Sequence, residues 1–175
     1  MRIWLRTIGF SIFAASLSFS TGSSVLAASA PTTEKLGSLG AAESNENVSS
    51  GLIAEAHLAE RSESGSLLSV TWSIKNEGDS DVRFNWPSGT SYMYSQPVYY
   101  SGVTTSSRDG HTRYHPLMDG VSDCVCSGQL SLDFKVLIKP EEQVAYWSMY
   151  SVPEDVDAIT LEIPGFEPIE DIPIS

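Results

Sequence analysis

From Gly51 onward, apolar residues recur at alternate positions in short runs separated by turn residues. The clearest run is 68–75, where Leu68, Val70, Trp72 and Ile74 alternate with small or polar residues. A period of two places these four side chains on one face of a strand with the other face open, the pattern of an antiparallel sheet covered on one side. Similar runs at 52–60, 82–86, 98–106, 112–117, 130–138, 143–150 and 158–163 predict further strands, and 166–174, interrupted by Pro168 and Pro173, predicts an edge strand or tail. Turn residues fall between them at Glu63-Ser64-Gly65-Ser66, Asn76-Glu77-Gly78-Asp79, Ser107-Arg108-Asp109-Gly110 and Lys139-Pro140-Glu141-Glu142. No stretch keeps a helical period over three turns. The expectation is one all-β domain over 51–175, an immunoglobulin-like antiparallel β-sandwich of about seven to nine strands.

The N-terminal pattern differs. Arg2 and Arg6 precede a run of about a dozen apolar residues from Ile8, too short for the ~20 needed to span a bilayer, and Val25-Leu26-Ala27 then offers the small residues a signal peptidase reads. Residues 1–27 are therefore expected to be a cleaved signal peptide, with Ala30 as the second-choice cut, and no membrane span remains after processing. Residues 28–50 are mostly Ala, Gly, Ser, Thr, Glu and Asn, with few large apolar groups to offset ordering entropy, and predict a flexible linker. The expected location is extracellular or in the cell envelope.

Charge narrows the partners. The chain carries 22 acidic and 10 basic residues, a formal charge of −12, which becomes −14 once Arg2 and Arg6 leave with the signal peptide. Such a surface repels nucleic acid and anionic lipid. An acidic surface is also a common route to solubility.

The two cysteines, Cys124 and Cys126, stand two residues apart. On a flat strand their Cα atoms would lie about 6.7 Å apart, the outer limit for a disulfide, so a bridge requires a tight turn, with Gly120 and Gly128 nearby. Export favours oxidation, while free thiols and soft-metal ligation stay open at this point. With His111, His115 and Met118 the cysteines make up a ligand set suited to copper or zinc. Against it, His111 and His115 on a strand would be about 13 Å apart, too far for one ion. No cofactor is expected.

The block 70–79, the run Arg113-Tyr114-His115-Pro116-Leu117-Met118-Asp119 followed by Cys124-Val125-Cys126-Ser127, and the ending 152–157 with Ile163-Pro164-Gly165-Phe166 resemble the exported immunoglobulin-like domains of unassigned function found in actinobacteria. Some of those resemble the front half of a two-part protein whose second half is an OmpA-like peptidoglycan-binding domain, for which these 175 residues hold no counterpart. The resemblance implies an envelope or extracellular setting and carries over no catalytic residue.

The sequence holds no Gly-x-Ser-x-Gly elbow, no His-Glu-x-x-His and no glycine-rich phosphate loop, so no enzyme is expected. The segment 86–100 stands out instead. It sets Trp86, Tyr92, Tyr94, Tyr99 and Tyr100 among Pro, Gly and Ser, a loop composition with large apolar rings. Exposed, these five rings would form a binding surface for a protein or a cell-wall glycan. Folded inward, they would cap the core. The functional expectation is a non-enzymatic binding or structural module, with an exported copper- or zinc-binding protein as the alternative.

Overall fold

In a computed structural model, described over residues 36–63, 65–89 and 93–175, the chain is all-β and antiparallel. Ten strands lie among these residues: β1 Gly40–Glu43, β2 Leu52–Arg61, β3 Leu67–Asn76, β4 Val82–Arg83, β5 Thr104–Ser107, β6 Arg113–Tyr114, β7 Leu137–Ile138, β8 Gln143–Ser151, β9 Ala158–Glu162 and β10 Ile169–Pro173. They form a sheet of order β1-β2-β3-β8, a sheet of order β10-β9-β5-β6, and the small pair β4-β7. The predicted signal peptide and linker residues 28–35 lie outside the described residues.

β3 shows how alternation builds the core. Leu68, Val70, Trp72 and Ile74 are wholly buried, as are Leu161 and Ile172 from the second sheet. Trp72 stacks at 4.8 Å on Tyr146 of β8, and Phe84 and Tyr100 complete an aromatic centre around it. Such contacts add about 0.5–1.5 kcal/mol per pair beyond the area buried. Asn76 closes β3. Its buried amide donates to the carbonyls of Ser80 and Ile138 and its side-chain oxygen accepts from the Gly78 amide, so one side chain fixes both the turn and its attachment to β7.

Three expectations change. The run 130–138 is not a continuous strand: only Leu137–Ile138 pairs, and Leu130 and Leu132 point to solvent. A turn from Gly128 to Ser131 and a left-handed Asp133 (φ 59°) break the extended backbone despite the apolar alternation. Residues 98–106 and 112–117 likewise shrink to the short strands β5 and β6. Third, ordered structure begins before Gly51, because Gly40–Glu43 pairs with β2 in the register Gly40↔Ala56 to Glu43↔Ile53. Backbone hydrogen bonds there supply what the small side chains lack. Gly40 is required by close packing, since a Cβ would lie 2.7 Å from the Ile169 side chain.

The layers are joined at both edges. Ser175 exchanges backbone hydrogen bonds with Ala59 and Arg61 of β2. On the other side the chain leaves β6 and bridges at Pro116 to Tyr150 of β8.

Candidate functional site

The described rings of the aromatic loop turn inward, wholly or in part. Tyr100 is wholly buried and its hydroxyl donates to the Phe84 carbonyl, which pushes the phenol's pKa well above its ordinary value through burial. Tyr94 is buried against Cys124 and Cys126, donates to the Pro116 carbonyl, and has its pKa raised by desolvation to about 12. Tyr99 is half-buried against the same cluster, its pKa raised first by desolvation and then by Asp123 and Asp119. Trp86 is half-buried, edge-on to Phe84 at 4.8 Å. Tyr92 lies outside the described residues. Tyr100 belongs to the main core and Trp86 packs against it, while Tyr94 and Tyr99 form a separate small cluster with the cysteines, and the aromatic that reaches solvent on the first sheet is Trp147 of β8.

Cys124 and Cys126 are bridged. Their Cα atoms lie 5.4 Å apart, closer than on a flat strand, because the turn at Val125 is held from both sides: the Val125 amide donates to Leu117 and its carbonyl accepts from Met149. The bridge consumes both thiols the copper or zinc reading relied on. His111 and His115 are exposed, and no group of three His, Cys, Asp or Glu converges among the described residues.

A different set of side chains does converge. β5 pairs Thr105 with both Leu161 and Tyr114, and these face the core, so alternation turns Thr104, Glu162 and Arg113 to the opposite face of the second sheet. Arg113 and Glu162 form an ion pair there across β5. At the end of this face they border a cleft of about 400 Å³ that also takes in Ser101, His115 and the turn from Ile163 to Phe166. Cavities of this size lie within the range that holds small ligands. Ser101 is wholly buried, and among the described residues its hydroxyl has no hydrogen-bond partner. A buried hydroxyl left so costs about 1–3 kcal/mol.

The cleft wall is fixed by Trp86. Its indole nitrogen donates to the Pro164 carbonyl at 2.7 Å, while the Gly165 carbonyl accepts from the Asn45 amide at 2.9 Å and from the Ser49 hydroxyl. Gly165 has φ +91°, and a Cβ on it would sit 3.1 Å from both the Trp86 nitrogen and the Ser49 hydroxyl, so only glycine lets the wall close. Of the five aromatics singled out in the sequence, Trp86 alone has a hydrogen bond to this site among the described residues, as a support behind it.

Sequence reasoning missed a second constellation. A bulge between Ala56 and Leu58 turns His57 into a buried position, where Nδ1 faces the Gly37 carbonyl at 2.9 Å and Nε2 faces the Ser73 hydroxyl at 2.7 Å. A carbonyl can only accept, so Nδ1 carries a proton, and in the neutral ring Nε2 accepts from Ser73. Gln143 donates to the same Ser73 oxygen and to Glu55, each at 2.8 Å. Ser73 is wholly buried. The arrangement ties the residues before β1 onto the first sheet.

No family model matches the chain, and no curated protein matches it in sequence. Among solved structures, a functionally unknown protein from Listeria monocytogenes EGD-e is similar over 79% of this chain and 85% of its own, at 11% identity and a TM-score of 0.39.

Proposed function

We propose that this is an exported, non-enzymatic, immunoglobulin-like binding module of the cell envelope or extracellular space, with its ligand site in the cleft bordered by Arg113 and Glu162. The observation that carries the reading is the convergence of Ser101, Thr104, Arg113, His115 and Glu162, from three separate stretches of chain, on one cleft. Export rests on the basic, apolar and small-residue pattern of residues 1–27, and the bridged cysteines suit an oxidising compartment. The resemblance to exported actinobacterial domains points to the same setting.

Two features favour binding over catalysis. The Ser101 hydroxyl has no hydrogen-bonded base among the described residues, and the one serine hydrogen-bonded to a histidine ring, Ser73, is sealed within the sheet. Copper or zinc binding retains only histidine and methionine donors once the thiols are bridged. The test is fractionation of producing cells with intact-mass analysis: protein outside the cytoplasm, shortened by the signal peptide, oxidised and co-sedimenting with envelope material is expected. Full-length protein retained inside, or processed protein that ignores every envelope and extracellular fraction, contradicts the proposal.

A further inference from the structure

We infer that the cleft takes a neutral saccharide of one or two rings, an inference that rests on the cleft being the binding site. Three features of its lining select this chemistry.

The first is charge. Arg113 and Glu162 are paired with each other across β5, so neither is left to recruit a free ion. An anion would have to displace Glu162 and also approach a chain of net charge −12, while a cation would have to displace Arg113. A neutral ligand leaves the pair intact and uses both members, the guanidinium as donor and the carboxylate as acceptor.

The second is the hydrogen-bonding groups. Thr104, on the same face as the ion pair, brings a hydroxyl able both to donate and to accept, and His115 adds an exposed ring. A group that donates and accepts, beside one charged donor and one charged acceptor, matches a ligand whose own polar groups are hydroxyls.

The third is the apolar part of the lining. Pro164, Phe166 and Pro168 also line the cleft, a character suited to the C–H face of a sugar ring. A volume of about 400 Å³ lies at the small end of ligand sites, room for one or two rings and no long polymer segment.

The experiment is titration of the folded, processed protein with cellobiose, maltose and N,N′-diacetylchitobiose, followed by amide chemical shifts, with inorganic phosphate and putrescine as anion and cation probes. At least one disaccharide is expected to move the Gly102, Thr104 and Glu162 amides along a saturating curve. Arg113→Ala is expected to weaken that binding about tenfold or more. Thr104→Ala should weaken binding while leaving the melting temperature nearly unchanged, which a threonine needed only for folding would not do. Silence from all three sugars, or movement of these amides by phosphate or putrescine instead, overturns the inference. If the sugars fail while the protein still co-sediments with envelope material, the saccharide assignment falls alone; if both fail, the binding reading falls with it.

Discussion

The indole of Trp86 and the carbonyl of Pro164 meet at 2.7 Å, 78 residues apart in the chain, and this hydrogen bond connects the aromatic loop to the wall of the polar cleft. Trp86→Phe keeps the ring contact with Phe84 and removes the donor. It is expected to cost about 1–2 kcal/mol, because a partly buried carbonyl loses its partner, and to weaken cleft binding through a loosened wall. Urea unfolding together with amide exchange at Gly165 and Phe166 checks this. Unchanged stability and exchange would show that the contact is not holding the wall.

The disulfide should act locally. Cys124 and Cys126 enclose so few residues that the loop-entropy model gives only about 1–2 kcal/mol, against roughly 4–5 kcal/mol for a loop of a hundred residues. Cys124→Ala with Cys126→Ala is expected to leave a cooperative fold with a modestly lower urea midpoint and to release Tyr94 and Tyr99 from their packing, seen as altered tyrosine fluorescence. Global unfolding of the double variant would refute a purely local role.

Buried tyrosines make the fold sensitive to alkali. Burial raises Tyr94 from 10.0 to about 12 and raises Tyr100, Tyr146 and Tyr150 further still. The raised folded values mean that the stabilisation is fully present below pH 10 and is lost as the pH climbs from 10 through about 12, since the unfolded chain ionises first. Each wholly buried tyrosine then steepens the loss by up to about 1.4 kcal/mol per pH unit. Absorbance at 295 nm and far-ultraviolet circular dichroism, followed together, should show late tyrosine ionisation coinciding with unfolding. Smooth titration of every tyrosine near pH 10 in a folded protein would count against the packing described.

His57 anchors the start of the fold. His57→Ala removes the partner of both the Gly37 carbonyl and the Ser73 hydroxyl and leaves a cavity in the bulge, a change expected to cost about 2–4 kcal/mol. The Leu39 amide, bonded to the Ala56 carbonyl at 2.8 Å, should exchange markedly faster in the variant. Ser73→Ala should be milder. Unaltered protection at Leu39 would mean that β1 pairing alone holds this segment.

The long strands were legible in the sequence because their burial is one-sided: β2 and β3 fall within two residues of the predicted 52–60 and 68–75. The run 130–138 misled because its apolar alternation gives no sign of the left-handed Asp133 or of the turn that Ser131 makes with Gly128. β1 escaped notice because its ordering comes from backbone pairing with β2 and from the space Gly40 leaves for Ile169. The cleft was not legible at all. Arg113 and Glu162 meet only through the register of β6 on β5 and of β5 on β9, and Ser101 stands out only once its burial is known. Composition drew attention to the aromatic loop, and could not separate rings that bind from rings that pack.

The most direct measurement compares capture of envelope material by the wild-type protein, by Arg113→Ala in the cleft and by Trp147→Ala on the outer face of the first sheet. Loss of capture in Arg113→Ala with retention in Trp147→Ala is the predicted result. Retention in Arg113→Ala, with or without loss in Trp147→Ala, would contradict the assignment of the cleft as the binding site.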